Sequence, residues 1–155
     1  MMRSRTSRAL IVCLAIAIVA ICAGSLLSYA PKRRAITVGE PKGLPFSDGM
    51  LVGNTLYIAG TEGTDDSGKL KAGGIGPETQ AALDNIQKVL KAAGFQLSDV
   101  VSVTVYLADI HEFGDMNAVY KSVMPDPKPT RATVQVSALV NNARIEISAI
   151  VVKEK

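Results

Sequence analysis

Residues 35–155 contain no cysteine, and the whole chain contains one histidine and no tryptophan. Because Cys13 and Cys22 are the two cysteines, disulfides, thiolate nucleophiles and cysteine-based metal sites are excluded from this part of the chain. His111 alone cannot form a histidine-rich metal cluster, and it argues against a conventional Ser-His-Asp site. Chemistry here must therefore depend mainly on carboxylates, arginine, hydroxyl groups, backbone and water.

Positive charge is also scarce in residues 35–155. The 155-residue chain has a formal net charge of +3, with 17 basic and 14 acidic residues. Six of the basic residues and none of the acidic residues lie in residues 1–34, which leaves residues 35–155 with 11 basic residues, 14 acidic residues and a net charge of −3. No basic cluster is interleaved with aromatic residues, as binding to a phosphate backbone requires. We therefore expect no nucleic-acid partner.

Residues 9–30 (ALIVCLAIAIVAICAGSLLSYA) form a long uncharged run with basic residues on both sides. A helix of this length rises about 33 Å, which matches a bilayer core of about 30 Å. We interpret residues 1–34 as a signal peptide or a signal anchor followed by a basic linker. Lipoprotein processing at Cys22 is less favoured because Ile21 is bulky. The remaining domain is expected outside the cytoplasm, as a periplasmic, secreted or membrane-tethered protein.

Residues 35–155 predict a single α+β domain. Strands are predicted from apolar alternation and β-branched residues, and Gly53-Asn54 is suited to the turn of a hairpin. The predicted strands cover residues 35–40, 50–52, 55–60, 100–108, 129–136 and 144–152.

Two helices are predicted from apolar residues at helical spacing. The first opens at Gly76-Pro77-Glu78, with proline at the first helical position and an acid in the first turn, and ends at Gly94. The second covers residues 111–124 and is capped by Asp109. The order β-β-β-α-β-α-β-β predicts a mixed sheet with both helices on one side. Its other side is too apolar to face water, which predicts self-association.

Two charged residues lie in the last two predicted strands, Arg131 in PTRATVQV and Glu146 in RIEISAIVV. Because side chains alternate along a strand, Arg131 shares a face with Thr133, and Glu146 shares a face with Ser148. The pattern alone favours solvent-exposed positions for both charges. If Glu146 is buried, it needs a partner, a solvated pocket or a chemical role, because an unpaired buried carboxylate is costly.

The string PTRATVQVSAL, residues 129–139, followed after five residues by IEI, resembles the C-terminal signature of the Rid (YjgF-like) family of reactive-intermediate deaminases. Earlier blocks resemble successive blocks of that family in order: LPFSDG (44–49), LYIAG (56–60), AALDNIQKVLKAAG (81–94), DVVSVTVYLADIHEF (99–113) and MNAVY (116–120). The resemblance covers roughly residues 36–153 and leaves residues 1–34 outside it.

The resemblance implies a chorismate-mutase-like α+β fold that assembles as a homotrimer, with ligand clefts between subunits. It implies hydrolysis of 2-imino acids and their enamine tautomers, such as 2-iminopropanoate, to 2-keto acids and ammonia. No metal and no organic cofactor are implied. The partner is then a small imino or keto acid.

The resemblance also implies roles for individual residues. Arg131 matches the arginine that binds the substrate carboxylate, and Glu146 matches the catalytic glutamate that positions or activates water. Gly60 and Asn117 match further positions of the substrate site.

Three positions at the expected substrate site depart from the family pattern. Thr133 stands where many members have cysteine, Phe46 where tyrosine is frequent, and Ala59 where serine is frequent. Arg131 and Glu146 imply that imine hydrolysis is retained, whereas the departures imply a changed pocket, a different substrate or weakened activity. A non-catalytic trimeric protein that binds small carboxylates is the alternative, and a ribonuclease or translation inhibitor is less favoured.

Overall fold

The computed structural model describes residues 31–40 and 43–154. No helix among these residues is long and apolar enough to cross a membrane. The leader predicted for residues 9–30 lies outside the described residues.

The described residues form six strands and two long helices in the predicted order β-β-β-α-β-α-β-β. The strands are β1 Arg33–Ile36, β2 Gly49–Val52, β3 Thr55–Glu62, β4 Val100–Leu107, β5 Thr130–Gln135 and β6 Ile145–Val152. The helices are α1 Ile75–Ala93 and α2 Phe113–Val123.

The strands form one mixed sheet in the order β1-β2-β3-β6-β4-β5. β4 and β5 are parallel, and all other neighbours are antiparallel. The last strand, β6, is therefore inserted between β3 and β4 near the middle of the sheet. The predicted α+β class with a mixed sheet and two helices is confirmed.

One face of the sheet, here called the helix face, carries Val103, Val105 and Leu107 of β4 and packs against the helices. Their partners on β6 are also buried, and the helices contribute buried residues such as Leu83 and Met116. Burying a side chain of this size stabilises the fold by about 1.5–3 kcal/mol relative to its exposure. This shared core fixes the position of the helices over the sheet.

The opposite face, here called the open face, has exposed apolar side chains. Tyr57 and Ile150 are direct cross-strand partners and are 49% and 39% exposed. Val134 of β5 lies opposite Tyr106 of β4 and is 43% exposed. The expected uncovered apolar face is therefore present in the single chain.

The predicted turns are confirmed, with differences at the ends of elements. Gly53 joins β2 to β3 with φ 63°, and Gly94 ends α1 with φ 84°, both in the left-handed region that glycine tolerates. The first strand covers Arg33–Ile36 and not residues 35–40, because it pairs in full with the four residues of β2. It thus includes Arg33 and Arg34, which the sequence pattern places in the linker.

The second helix begins with a short 3₁₀ turn, Ile110–Glu112. As predicted, Asp109 provides the cap, since its Oδ1 accepts a hydrogen bond from the backbone N–H of His111 at 2.9 Å. α2 then continues from Phe113, and its residues Asn117 and Tyr120 lie above β5, the edge strand.

Candidate active site

Arg131 lies on the helix face of β5, beneath α2. Its position follows from the parallel pairing, because its partner on β4 is the buried Val103. The guanidinium Nη2 donates a hydrogen bond to Asn117 Oδ1 at 2.7 Å. Asn117, one of the predicted substrate-site residues, therefore contacts the predicted carboxylate-binding arginine directly.

Two aromatic rings of α2 orient the same guanidinium. Its central carbon lies 4.4 Å from the centre of the Tyr120 ring and 5.6 Å from that of Phe113, both within cation–π range. Burial raises the pKa of Tyr120, although the charge of Arg131 acts in the opposite direction. Tyr120 therefore stays neutral at neutral pH and presents a π face to the cation.

The charge of Arg131 is oriented but is not paired with a carboxylate. None of the ion pairs found among the described residues includes Arg131. An amide oxygen and two rings leave further guanidinium N–H groups available, and a planar guanidinium binds carboxylates in a bidentate manner. The arrangement can receive a small carboxylate.

Thr133 lies two residues further along the helix face of β5, opposite the buried Val105. Its Oγ1 and the Tyr120 hydroxyl are buried and have no hydrogen-bond partner within the described part of the chain. Buried polar atoms normally have partners, and leaving one without a partner costs about 1–3 kcal/mol. Both hydroxyl groups are therefore unsatisfied among the described residues of the single chain.

Glu146 lies on the open face of β6, between Tyr106 of β4 and Glu62 of β3. Gly60 lies against it so closely that a Cβ at that position would overlap Glu146 Oε1. The absence of a side chain at Gly60 therefore creates the space that the carboxylate occupies.

A register shift in β3 between Ile58 and Thr61 brings Gly60 to Glu146. It places Ala59 and Gly60 between the two stretches of β3 that pair with β6, while on the other edge of β3 the Ala59 N–H bonds to Asp48 O at 3.0 Å and continues the pairing with β2. Such a bulge redirects the strand next to a site. The predicted residues Ala59, Gly60 and Glu146 are therefore neighbours.

Phe46, the remaining predicted residue, lies in the loop before β2 and is 60% exposed. Nearby, the loop is anchored by Asp48, whose Oδ2 accepts a hydrogen bond from the Val38 N–H at 2.7 Å. Phe46 belongs to neither of the two groups described above.

The predicted site residues thus form two groups on opposite faces of the sheet. Arg131, Thr133 and Asn117 lie on the helix-face side, whereas Glu146 and Gly60 lie on the open face. β4 lies between β5, which carries Arg131, and β6, which carries Glu146. The axes of β5 and β6 are therefore about 9–10 Å apart in the plane of the sheet. One small ligand cannot contact both groups within a single chain.

Glu78 is a residue whose importance the sequence pattern did not reveal. It was expected only as an acid in the first turn of α1, yet it is 4% exposed. Its Oε1 accepts hydrogen bonds from the backbone N–H groups of Arg144 at 2.7 Å and Ile145 at 3.4 Å. Glu78 therefore connects α1 to the start of β6 and fixes the strand that carries Glu146. No local sequence signal distinguishes this role from helix-dipole stabilisation.

Glu62 is a second such residue, because it lies directly opposite Glu146. Burial raises the pKa of Glu62, a long contact from Asn141 lowers it, and the charges of Glu146 and then Glu78 raise it. The predicted strand ends at residue 60, so the sequence pattern places Glu62 after the strand, whereas β3 continues to Glu62. The partner of Glu62 depends on the β-bulge, which the pattern does not indicate.

No group of three or more His, Cys, Asp or Glu residues within residues 31–40 and 43–154 is arranged to hold a metal ion. The exposed acids Asp65 and Asp66 instead serve the loop after β3. Asp65 Oδ1 accepts hydrogen bonds from the Ser67 N–H and the Lys69 N–H at 2.9 and 3.1 Å. These contacts give Asp65 a structural role in the loop.

The fold and the two groups define a small α+β protein with an arginine oriented by an amide and two aromatic rings and a separate glutamate at a β-bulge. The chain belongs to the Rid/YjgF family: residues 40–153 match the family model described as "Endoribonuclease L-PSP". Its solved relatives share the fold. The structure of RidA from a Psychrobacter species is 32% identical to this chain, with a TM-score of 0.73. The superposition covers 77% of this chain and 99% of the RidA chain. Escherichia coli TdcF with bound serine has 26% identity and a TM-score of 0.70, and covers 78% and 99%.

The alignments with three curated relatives cover nearly the full length of each relative. The chain is 42% identical over 124 residues to the human 2-iminobutanoate/2-iminopropanoate deaminase, which covers 78% of this chain and 90% of the relative. It is 46% identical over 129 residues to the goat (Capra hircus) protein of the same name, covering 82% and 94%. A RutC family protein of Pyrococcus horikoshii is 42% identical over 125 residues, covering 79% and 99%.

Proposed function

We propose that this protein hydrolyses 2-imino acids and their enamine tautomers to 2-keto acids and ammonia. The observation that carries the proposal is the state of Arg131, which is oriented by Asn117 and Tyr120 yet has no carboxylate partner among the described residues. The names of the human and goat relatives support the same reaction.

The reaction needs few groups. An imine carbon next to a carboxylate is already electrophilic, so the site must hold the carboxylate, direct a water molecule and transfer protons. Arg131 holds the carboxylate through charge-assisted hydrogen bonds. Glu146 takes a proton from the attacking water, a role that typically accelerates a reaction about 10²- to 10⁴-fold. No metal or organic cofactor is needed.

We propose that the working site is formed between copies of the chain in a homotrimer. Within one chain the sheet separates Arg131 from Glu146, so the two can meet on one ligand only if different copies supply them. Contact between copies would also cover the exposed Tyr57, Val134 and Ile150 of the open face. Symmetric closure then gives each copy one complete site.

The departures from the family pattern leave Arg131 and Glu146 in place and change residues beside them. Thr133 keeps a hydroxyl group beside Arg131, and Ala59 leaves the bulge next to Glu146 without a polar side chain. We expect these changes, together with Phe46, to alter which imines are preferred.

An imine-trapping assay tests the activity. An amino-acid oxidase generates the imine from each of several amino acids, and semicarbazide traps what remains. The full-length protein should accelerate loss of the trappable imine, and Arg131→Ala should abolish the acceleration. Absence of acceleration with every amino acid would exclude the proposed reaction.

Glu146→Gln distinguishes an enzyme from a carboxylate-binding protein. The amide keeps the shape of the carboxylate but cannot accept the proton from water. In an enzyme the variant loses turnover, whereas a binding protein keeps its affinity for a small carboxylate such as pyruvate, measured by calorimetry.

Ribonuclease activity is a second candidate, since the description of the matching family names an endoribonuclease. The Glu62–Glu146 pair presents two carboxyl groups on the open face, which would repel phosphate. We therefore expect neither RNA binding at low salt nor RNA cleavage.

We further propose that residues 9–30 direct the domain out of the cytoplasm, as a cleaved signal or as an anchor. The support is their uncharged composition and length. Cell fractionation tests this, and recovery of the intact chain in the cytoplasmic fraction would contradict it.

A further inference from the structure

Glu62 is a carboxyl group that the proposed reaction, as described so far, does not use. It ends β3 and lies directly opposite Glu146 in the antiparallel pair. Residues in such positions share a face of the sheet, and their Cβ atoms lie about 4.5–5.5 Å apart. The two carboxyl groups therefore face the same side, next to the space created by Gly60.

This pairing is unfavourable unless something offsets it, because like charges directly opposite each other destabilise a sheet. No ion pair among the described residues includes Glu62. The charged group that approaches from α1 is another acid, Glu78. The nearby Arg144 pairs with Glu112 instead, and Asn141 Nδ2 makes only a long contact, 3.4 Å from Glu62 Oε2.

A proton relieves this repulsion. Burial is the largest cause that raises the pKa of Glu62, and the charges of Glu146 and Glu78 add to it. When two carboxyl groups share a site, one of them retains its proton to higher pH. Such a pair supplies one acid and one base at the same pH.

We propose that Glu62, directly opposite Glu146, is a second acid–base group of the imine-hydrolysing site. This inference rests on the proposed function. It assigns to Glu62 the protonation of the substrate nitrogen and to Glu146 the deprotonation of water.

The proton transfers balance over one cycle. The water oxygen bonds to the imine carbon and gives a proton to Glu146, while the π electrons of the C=N bond move to nitrogen, which takes the proton of Glu62. In the second step the hydroxyl proton of the carbinolamine passes to Glu62 and the C–N bond breaks. The nitrogen leaves as ammonia with the proton held by Glu146. The pair thus returns to its starting state.

The test compares Glu62→Gln, Glu62→Asp and a matched control, Glu154→Gln, in the full-length protein. Glu154 is exposed and lies beyond the opposite end of β6 from Glu146, about 26 Å away along the strand direction. We expect Glu62→Gln to lower kcat about 100-fold with little change in KM. Glu62→Asp should restore part of the activity, because it keeps an ionisable carboxyl group, and Glu154→Gln should behave as the wild type.

The pH profile separates an acid–base role from a structural one. Activity that needs protonated Glu62 falls as pH rises through its raised pKa, so this alkaline decline should disappear in Glu62→Gln. An active wild type with an unchanged kcat and pH profile in Glu62→Gln would overturn the role of Glu62 and leave the proposed function intact. A wild type inactive on every imine would overturn both.

Discussion

Arg131 shows how one residue becomes suited to a function through its immediate contacts. Asn117 accepts a hydrogen bond from the guanidinium, and the centre of the Tyr120 ring lies 4.4 Å from the guanidinium carbon. A side chain held in this way loses little further freedom when it binds a ligand. Under the proposed function, these contacts hold the guanidinium ready for a planar carboxylate.

Arg131→Lys should lower kcat/KM about 10- to 100-fold, although the positive charge is kept. The ammonium group cannot form the bidentate contact or stack as the planar guanidinium does. Steady-state kinetics in the imine assay measures the effect. Arg144→Lys is the control, because Arg144 pairs with Glu112 at the surface, and it should retain nearly full activity.

Gly60→Ala should reduce kcat about 100-fold or more. A methyl group there would overlap the Glu146 carboxylate, and small displacements of a catalytic group cost about this much. Gly76→Ala is the matched control, since its new Cβ would meet only Val119 at 3.8 Å. Full activity of Gly60→Ala would show that Glu146 does not act from the observed position.

At the scale of elements, contacts from α1 hold β6, which carries Glu146, and the end of β3, which pairs with it. Glu78 of α1 accepts hydrogen bonds from the backbone at the start of β6, and α1 approaches closely enough that only glycine fits at position 63. Asn85 of α1 also bonds to the Glu62 and Thr64 carbonyl oxygens, at 3.3 and 2.9 Å. α1 therefore positions both the start of β6 and the end of β3, which pair beside the β-bulge.

Gly63→Ala should destabilise the fold by about 1–3 kcal/mol, because its Cβ would overlap the backbone of Glu78. Gly114→Ala, in α2, should stabilise it by about 0.4–1 kcal/mol, because nothing lies within 4 Å of the new methyl group. Chemical denaturation of the two variants measures both effects. Equal effects of the two substitutions would contradict the close packing at Gly63.

The pairing of β3 with β6 predicts a pH-dependent stability. The pKa of Glu62 is raised in the folded state, so its contribution to stability is fully present below the ordinary glutamate value of 4.5 and is lost as pH rises through the raised value. Glu62→Gln should therefore have a higher Tm than the wild type at pH 8, with a smaller difference at pH 4. Thermal unfolding at the two pH values measures this, and a constant difference would contradict the pairing.

The sequence predicted the order of elements, the hairpin at Gly53, the end of α1 at Gly94 and the cap at Asp109, because each depends on residues close in the chain. Alternation also predicted which residues share a strand face. It could not predict that Arg131 and Glu146 lie on opposite faces, since that depends on which faces of β5 and β6 meet the helices. The partners of Glu78 and Glu62 were likewise not predictable, because they are 66 and 84 positions away in the chain.

For the whole molecule, the separation of the two groups and the apolar open face have the same explanation. The single chain leaves Tyr57 and Ile150 exposed. If Arg131 and Glu146 act on one ligand, as proposed, a single chain that separates them is incomplete as a site. Assembly through symmetric contacts would cover the exposed face and complete the site. Activity should therefore depend on assembly and not on the folded single chain alone.

Mixing two inactive variants tests this claim most directly. Full-length Arg131→Ala and Glu146→Gln should each be inactive in the imine assay, because every site then lacks one group. After the two are unfolded together and refolded in equal amounts, random assembly should restore about one quarter of the wild-type activity, since some sites take Arg131 from one variant and Glu146 from the other. A mixture that refolds and assembles but stays inactive would contradict a site shared between copies.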